Sequence, residues 1–264
     1  MNPYDYLLEL PDYILFVICV LSMGLLTVVA MLVMKLMGRL FPNKKGTTLV
    51  NTMLSGVLLP TGMVLAFVAN DVWQADEKGR VAVQQEATAI ADSLRVAKYL
   101  SATDGQLVTT LVRNYGRAVI HTEWPMMGRH GGASQAAEDS LESLALKAVE
   151  LQTGVPNSVR SIGGKELRRY VLRIEAARST RLAVAQSSVR MPKWVAVFVM
   201  LFVSACVMAE LHLGFRRSLA ISMVLFSLGF GVTIFLITAY DQPFTGVTTI
   251  SSAPIEHALA RTYH

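Results

Sequence analysis

Apolar and polar positions fall into long blocks along this chain. Four blocks are apolar over about the 20 residues that a helix needs to cross a hydrocarbon core: Tyr13–Met34, Thr48–Ala69, Trp194–Ala209 and Leu219–Tyr240. The first meets no charge until Lys35, and the second is uncharged throughout. The third is short and reaches Leu213 only by taking in Glu210, whose charge belongs at the interface or against Arg216 or Arg217. Asp5, Glu9 and Asp12 precede the first block without a Lys or Arg, which is wrong for a signal peptide and predicts a retained span.

Between the second and third blocks, Asp71–Lys193 is polar and shows helical spacing rather than strand alternation. Val83, Ala87, Ile90, Leu94 and Ala97 step by four and three, and only Gly62 and Gly79 interrupt helix between Thr61 and Leu100. Span two is therefore expected to continue into the polar region as one rod of about 60 Å, serving as a rigid stalk or transmitting movement. Ser101 and Thr103-Asp104-Gly105 predict a break. Leu107, Leu111, Tyr115 and Ala118 then mark a second helix that Trp124-Pro125 ends. After Gly128 and Gly131-Gly132, Ser134 is placed to cap a third helix with Leu141, Leu144, Ala148 and Leu151 on one face. Gly154, Pro156 and Gly163-Gly164 predict a loop. A fourth helix then turns Leu167, Val171, Ile174, Leu182, Ala185 and Val189 inward, and Pro192 separates it from span three.

The expected fold class is an all-α membrane protein: four transmembrane helices, with a helical extramembrane domain inserted between spans two and three. The expected divisions are 1–70, 71–193, 194–240 and a tail at 241–264. Composition agrees. Mean hydropathy is +0.44 and 16% of residues are charged, against about 25% in soluble domains. The net charge of +5 invites a nucleic-acid reading, but the basic residues flank apolar blocks, which is the membrane pattern, and no nucleic-acid partner is expected. Lys35, Arg39, Lys44 and Lys45 favour a cytoplasmic first hairpin loop, as do Arg216 and Arg217 for the second. Arg173, Arg178, Arg181, Arg190 and Lys193 before span three argue the other way, but long loops cross largely regardless of charge. Cys19 and Cys206 lie inside apolar blocks and read as buried thiols.

No nucleotide-binding, zinc-protease or serine-hydrolase motif occurs, and His121, His130, His212, His257 and His264 stand at no metal-ligand spacing. Neither an enzyme nor a cofactor or metal site is expected. The informative polar positions sit at membrane depth. Thr48, Thr52, Ser55, Leu59, Gly62, Ala66 and Asn70 recur every three or four residues of span two, small or polar except for Leu59. Ser218, Ser222, Gly229 and Thr233 form a second stripe in span four. Such stripes ordinarily let membrane helices pack closely. The alternative is that Thr52, Ser55, Leu59, Gly62, Ala66 and Asn70 line a water-filled pore, with Leu59, next to Pro60, as an apolar constriction. Asp71 and Asp241 end spans two and four on one membrane face, either as ordinary interfacial charges or as an acidic ring at a mouth. The Arg-rich fourth helix, with Arg168, Arg169 and Arg173, is a solvated face or a docking site.

Two runs carry a family look: Val72-Trp73-Gln74-Ala75-Asp76-Glu77-Lys78-Gly79-Arg80 leading to Gln85-Glu86-Ala87, and Asp241-Gln242-Pro243-Phe244-Thr245-Gly246 leading to Pro254-Ile255-Glu256. With Tyr115-Gly116-Arg117 and Glu123-Trp124-Pro125, the chain resembles the bestrophin-like family of bacterial four-span proteins. The second run matches that family's D-x-P-F-S/T-G motif, and Pro243, Phe244 and Gly246 read as a turn that folds the tail back on the start of the central domain. Asp241 would meet Arg80 or cap a helix. More distantly the chain resembles true bestrophins, homopentameric and largely anion-selective channels with span two at the pore. The resemblance implies an oligomeric ion channel in a bacterial inner membrane, with lipid, inorganic ions and further copies of itself as partners. Span two departs from bestrophins in having Phe67 as its one aromatic, and Val247–Ala253 lack the acidic calcium cluster, so calcium gating is not implied. The rival reading is a non-conducting scaffold or sensor whose helical domain binds a protein.

Overall fold

A computed structural model describes residues 11–40, 47–130, 132–153, 155–212, 214–245 and 249–260. Among them there are helices and no strand. The helices are α1 (Asp12–Leu40), α2 (Thr47–Ala97), α3 (Ala102–Ala118), α4 (Trp124–His130), α5 (Gln135–Gln152), α6 (Val159–Ala185), α7 (Met191–His212), α8 (Arg216–Tyr240) and α9 (Ala253–Ala260). Four of them, α1, α2, α7 and α8, are long and apolar enough to cross a membrane. The chain divides into two compact units. One holds the described residues up to Gln74 with Ser188–Asp241; the other holds Ala75–Ser187 with the described residues from Gln242 onward. Helix α2 runs without interruption through Pro60 and Gly79.

The membrane unit packs α1 against α7 and α8, and α7 against α8. Leu15, Cys19, Met23, Leu65, Val68, Leu201, Phe226 and Ile234 form its core. Lipid is as apolar as these side chains, so close approach and polar bridges must select the contacts. Thr61 and Ser204 hydroxyls lie 2.8 Å apart, and those of Thr27 and Ser227 lie 3.1 Å apart. A Cβ on Gly231 would come within 2.9 Å of the Val20 Cα, so only glycine allows α8 this close to α1. The buried small residues of span four are thus Ser227, Gly231 and Thr238. The expected stripe is displaced from them: Gly229 is exposed, and Ser218, Ser222 and Thr233 are partly so.

The second unit is a helical bundle of the lower half of α2 with α3, α5 and α6, and α9 and the start of the tail pack against it. The seam Val83, Ala87, Ile90, Leu94 and Ala97 is buried as expected, as are Leu141, Leu144, Ala148 and Leu151 of α5. Several expectations need correction. Thr103-Asp104-Gly105 do not break the chain; they form the first turn of α3, where Ser101 accepts a hydrogen bond from the Asp104 N–H at 3.2 Å. Tyr115 is buried as expected and Leu111 and Ala118 are half-buried against the core, but the fully buried positions beside them are Val108, Val112 and, just past α3, Val119, while Leu107 is 44% exposed.

Trp124-Pro125 does not end the second helix either. Pro125 has no N–H to offer, and the chain absorbs the loss in a π-helical turn, Val119–Glu123, where the Trp124 N–H bonds the Val119 carbonyl. Helical structure then runs on as α4, through Gly128. Lastly, Gly163 and Gly164 belong to α6, not to a loop. A Cβ on Gly164 would meet the Gln152 N and Leu151 C at 2.8 Å, so Gly164 is where α6 meets the end of α5, while a Cβ on Gly163 would meet the Leu100 side chain at 2.6 Å. Ser134 holds the cap position of α5 with no side-chain cap bond, and Pro192 falls in the first turn of α7 rather than ahead of it.

Gly164→Ala is expected to lower the stability of the solubilised chain by about 1–3 kcal/mol, since backbone rather than a flexible side chain opposes the new methyl. Gly128→Ala, whose nearest neighbour is the Phe244 carbonyl at 3.3 Å, is expected to cost less. Thermal unfolding followed by circular dichroism checks the order.

Candidate functional site

Span two presents two faces. Thr61, Leu65, Val68 and Val72 are buried against the membrane unit's own core. Ser55, Leu59, Gly62, Ala66 and Asn70 are all exposed, and Leu59 is 69% so. At about 100° per residue, this stripe stands about 130° round the helix from the buried face. A Cβ on Gly62 would meet nothing within 4 Å. Among the described residues, the stripe therefore takes no part in packing the membrane unit. Met63 and Phe67, 51% and 64% exposed, lie further round the same open side. The side chains of Thr48 and Thr52 lie outside the described residues.

Of the two acids at the ends of spans, Asp71 is exposed and pairs with Lys193 at 2.6 Å. Asp241 is 4% exposed, and its Oδ1 accepts from the Val189 N–H at 2.6 Å, just ahead of α7. Its carboxylate is committed within its own chain, while Arg80 pairs with Asp76 at 2.8 Å. In the second unit, Pro243 and Phe244 are buried, and the Ile250 N–H closes the turn on the Pro243 carbonyl at 2.8 Å. Phe244 meets the Trp124 ring edge-on at 5.7 Å, and a Cβ on Gly79 would strike Ile250 at 2.7 Å, so the tail lies directly on α2. Gly246 is outside the described residues.

The same family-like runs converge on a feature that sequence reasoning missed. Glu86, Glu123 and Arg181 are completely buried, and Arg178 is nearly so. Arg181 donates from Nε to Glu86 at 2.7 Å and from Nη2 to Glu123 at 2.7 Å, and its guanidinium lies 5.2 Å from the Trp124 ring centre. Arg178 donates to Glu123 at 2.6 Å and also pairs with Glu138. The Tyr115 hydroxyl donates to Glu86 at 2.6 Å, and the Ser134 N–H donates to Glu123 at 3.0 Å. Two buried carboxylates thus face two guanidiniums, and the group is close to neutral. Burial pushes the Glu123 carboxyl up, but Arg178 and Arg181 outweigh it and hold it below its usual range. Burial, then Glu86, pushes Tyr115 well above its usual value, so it stays a neutral donor. The π-helical turn is what aims Glu123 inward.

A signal was present: Arg178 and Arg181 continue the face of Leu167, Val171 and Ile174, and Glu86 sits inside the Val83–Ala87–Ile90 seam. Charged residues at core positions imply pairing. Among the described residues, no three His, Cys, Asp or Glu gather where a metal could sit.

A model of the Bestrophin-like domain matches residues 20–255. The chain belongs to the bestrophin-like family. A comparison with curated protein sequences gave no match. Among solved structures, this bestrophin-like chain is similar to a bacterial Bestrophin homologue from Klebsiella pneumoniae. A point-mutant crystal structure of it aligns at TM-score 0.69 and 12% identity, covering 92% of this chain and 96% of that one. The structure phased from zinc aligns at 0.68 and 12%, covering 92% and 95%. A crystal structure described only as a membrane protein aligns at 0.68 and 12%, covering 92% and 96%. At that identity the likeness is one of fold. With its four long apolar helices, this bestrophin-like chain is an integral membrane protein.

Removing one partner of a buried ion pair strands the other, at about 3–5 kcal/mol. Arg181→Met is expected to cost that much, and Arg181→Met with Glu86→Gln to recover part of it, by denaturant unfolding of the full chain. The depressed Glu123 carboxyl binds its proton later in the folded chain than in the unfolded one. Its stabilisation is complete above the unfolded value of about 4.3 and is lost as pH falls through the lower folded value. Tm should therefore fall below about pH 4, and less steeply in Glu123→Gln.

Proposed function

We propose that the protein is an oligomeric ion channel whose copies gather with span two around a wetted axis. The observation that carries this reading is the row Ser55, Leu59, Gly62, Ala66 and Asn70, polar or small except for Leu59 yet exposed in a chain of the bestrophin-like family. Packing among the described residues leaves this row unused, and lipid offers nothing to its hydroxyl and amide groups. Thr52 continues the row by spacing. Leu59 is the large apolar member and forms the constriction, which closes by excluding water. Asp71 stands at the mouth; Asp241 holds the approach to α7 rather than joining a ring. Five copies and a preference for anions follow from the family analogy, and the basic first hairpin loop places that loop in the cytoplasm.

The second reading, a scaffold that binds a protein partner, draws on Arg168, Arg169 and Arg173, exposed on α6. Arg169 pairs with Glu166 at 2.5 Å, and both Arg169 and Arg173 lie over the Tyr170 ring. Such a face is ordinary for a solvated helix, so the channel reading stands first.

Purified protein in liposomes is expected to conduct, with a reversal potential in a salt gradient that reports the preferred ion. Leu59→Ala is expected to raise conductance several-fold by widening and wetting the constriction. Silence from well-folded protein, with a specific protein co-purifying, would favour the scaffold.

A further inference from the structure

Helix α5 carries two stripes. One is the buried face through Leu141, Leu144 and Ala148; the other, Asp139, Glu142, Leu146 and Val149, follows the same three-four-three spacing and stands in solvent. Leu146 is 64% and Val149 45% exposed, on a helix whose core face is already complete. Elsewhere on the same unit, α2 and α6 border a groove of about 550 Å³. Its floor is small, with Ala89 and Ala177 buried and Ala176 open to solvent, and Arg173 stands at its rim. The acid at this groove, Asp92, is engaged by Arg95 at 3.0 Å.

Ridge and groove match in register. Glu142 precedes Leu146 by four residues, about 6 Å along a helix, and Arg173 precedes Ala177 by the same step and Ala176 by one residue less. A ridge laid parallel to α6 with Leu146 over the two alanines brings Glu142 to Arg173. Apolar side chain meets small-residue floor, as ridges enter grooves, and acid meets base. The ridge faces away from the core that α5 shares with α3 and α6, so it has no access to its own chain's groove.

We propose that the outer ridge of α5 in one copy seats in the α2–α6 groove of the next, Leu146 over Ala176 and Ala177 and Glu142 against Arg173. The occupant is a second copy of this chain, and the contact is head to tail, the kind that closes into a ring. The proposal rests on the oligomeric reading above and adds which faces meet.

The test uses the full chain in detergent, with mass measured by light scattering and a short bis-maleimide as cross-linker. Leu146→Cys with Ala176→Cys is expected to give a ladder of linked copies that neither single variant gives. Glu142→Arg is expected to cut the oligomeric fraction several-fold, and Glu142→Arg with Arg173→Glu to restore it. An oligomer that forms no ladder beyond the single variants, or no rescue by the charge exchange, overturns these docking faces and leaves the channel reading standing. A monomeric particle overturns both.

Discussion

Arg181 has no exposed surface, and its charge is tolerated in an apolar interior only because Glu86 and Glu123 face it from two other elements. That requirement organises the extramembrane unit. Glu86 comes from α2, Glu123 from the π-helical turn, Arg178 and Arg181 from α6, Tyr115 from α3, and the Ser134 backbone from the start of α5. Hydrophobic packing fixes that these helices come together; the ion group fixes which register they adopt, since sliding any one of them strands a buried charge. The tail joins through Trp124, which lies against Arg181 on one contact and Phe244 on another.

The membrane unit obeys a different economy. Burying leucine against leucine gains little in lipid, so glycine and hydroxyl contacts do the selecting: Gly231 on Val20, Thr61 on Ser204, Thr27 on Ser227. Against that background, the row from Ser55 to Asn70 stands apart. It has the composition of a helix contact and, among the described residues, makes none. The proposed function gives it a use between copies.

Most of the architecture was legible in the sequence because apolar length and helical spacing carry it: the four spans, the buried seam of α2 and the core face of α5 all follow from period. What was misread has local causes. Pro125 and Gly163-Gly164 are breaker residue types, yet a π-helical turn accommodates the missing N–H of the one, and the close approach of α6 to the end of α5 requires Gly164. The ion group escaped because its members lie far apart in the chain, and Arg178 and Arg181 counted first as charges near a span. The position of span two's stripe was legible; that the described residues leave it uncovered needed the packing of α1, α7 and α8.

The most direct test of the central claim is cysteine accessibility along span two in intact membranes, using a water-soluble thiol reagent on single variants at Ser55, Leu59, Gly62, Ala66 and Asn70, with Met63 and Phe67 for comparison. The account predicts labelling at Ser55, Gly62, Ala66 and Asn70, slower labelling at Leu59, and none at Met63 and Phe67. Labelling absent from the row, or strongest at Met63 and Phe67, would contradict a wetted axis along this face.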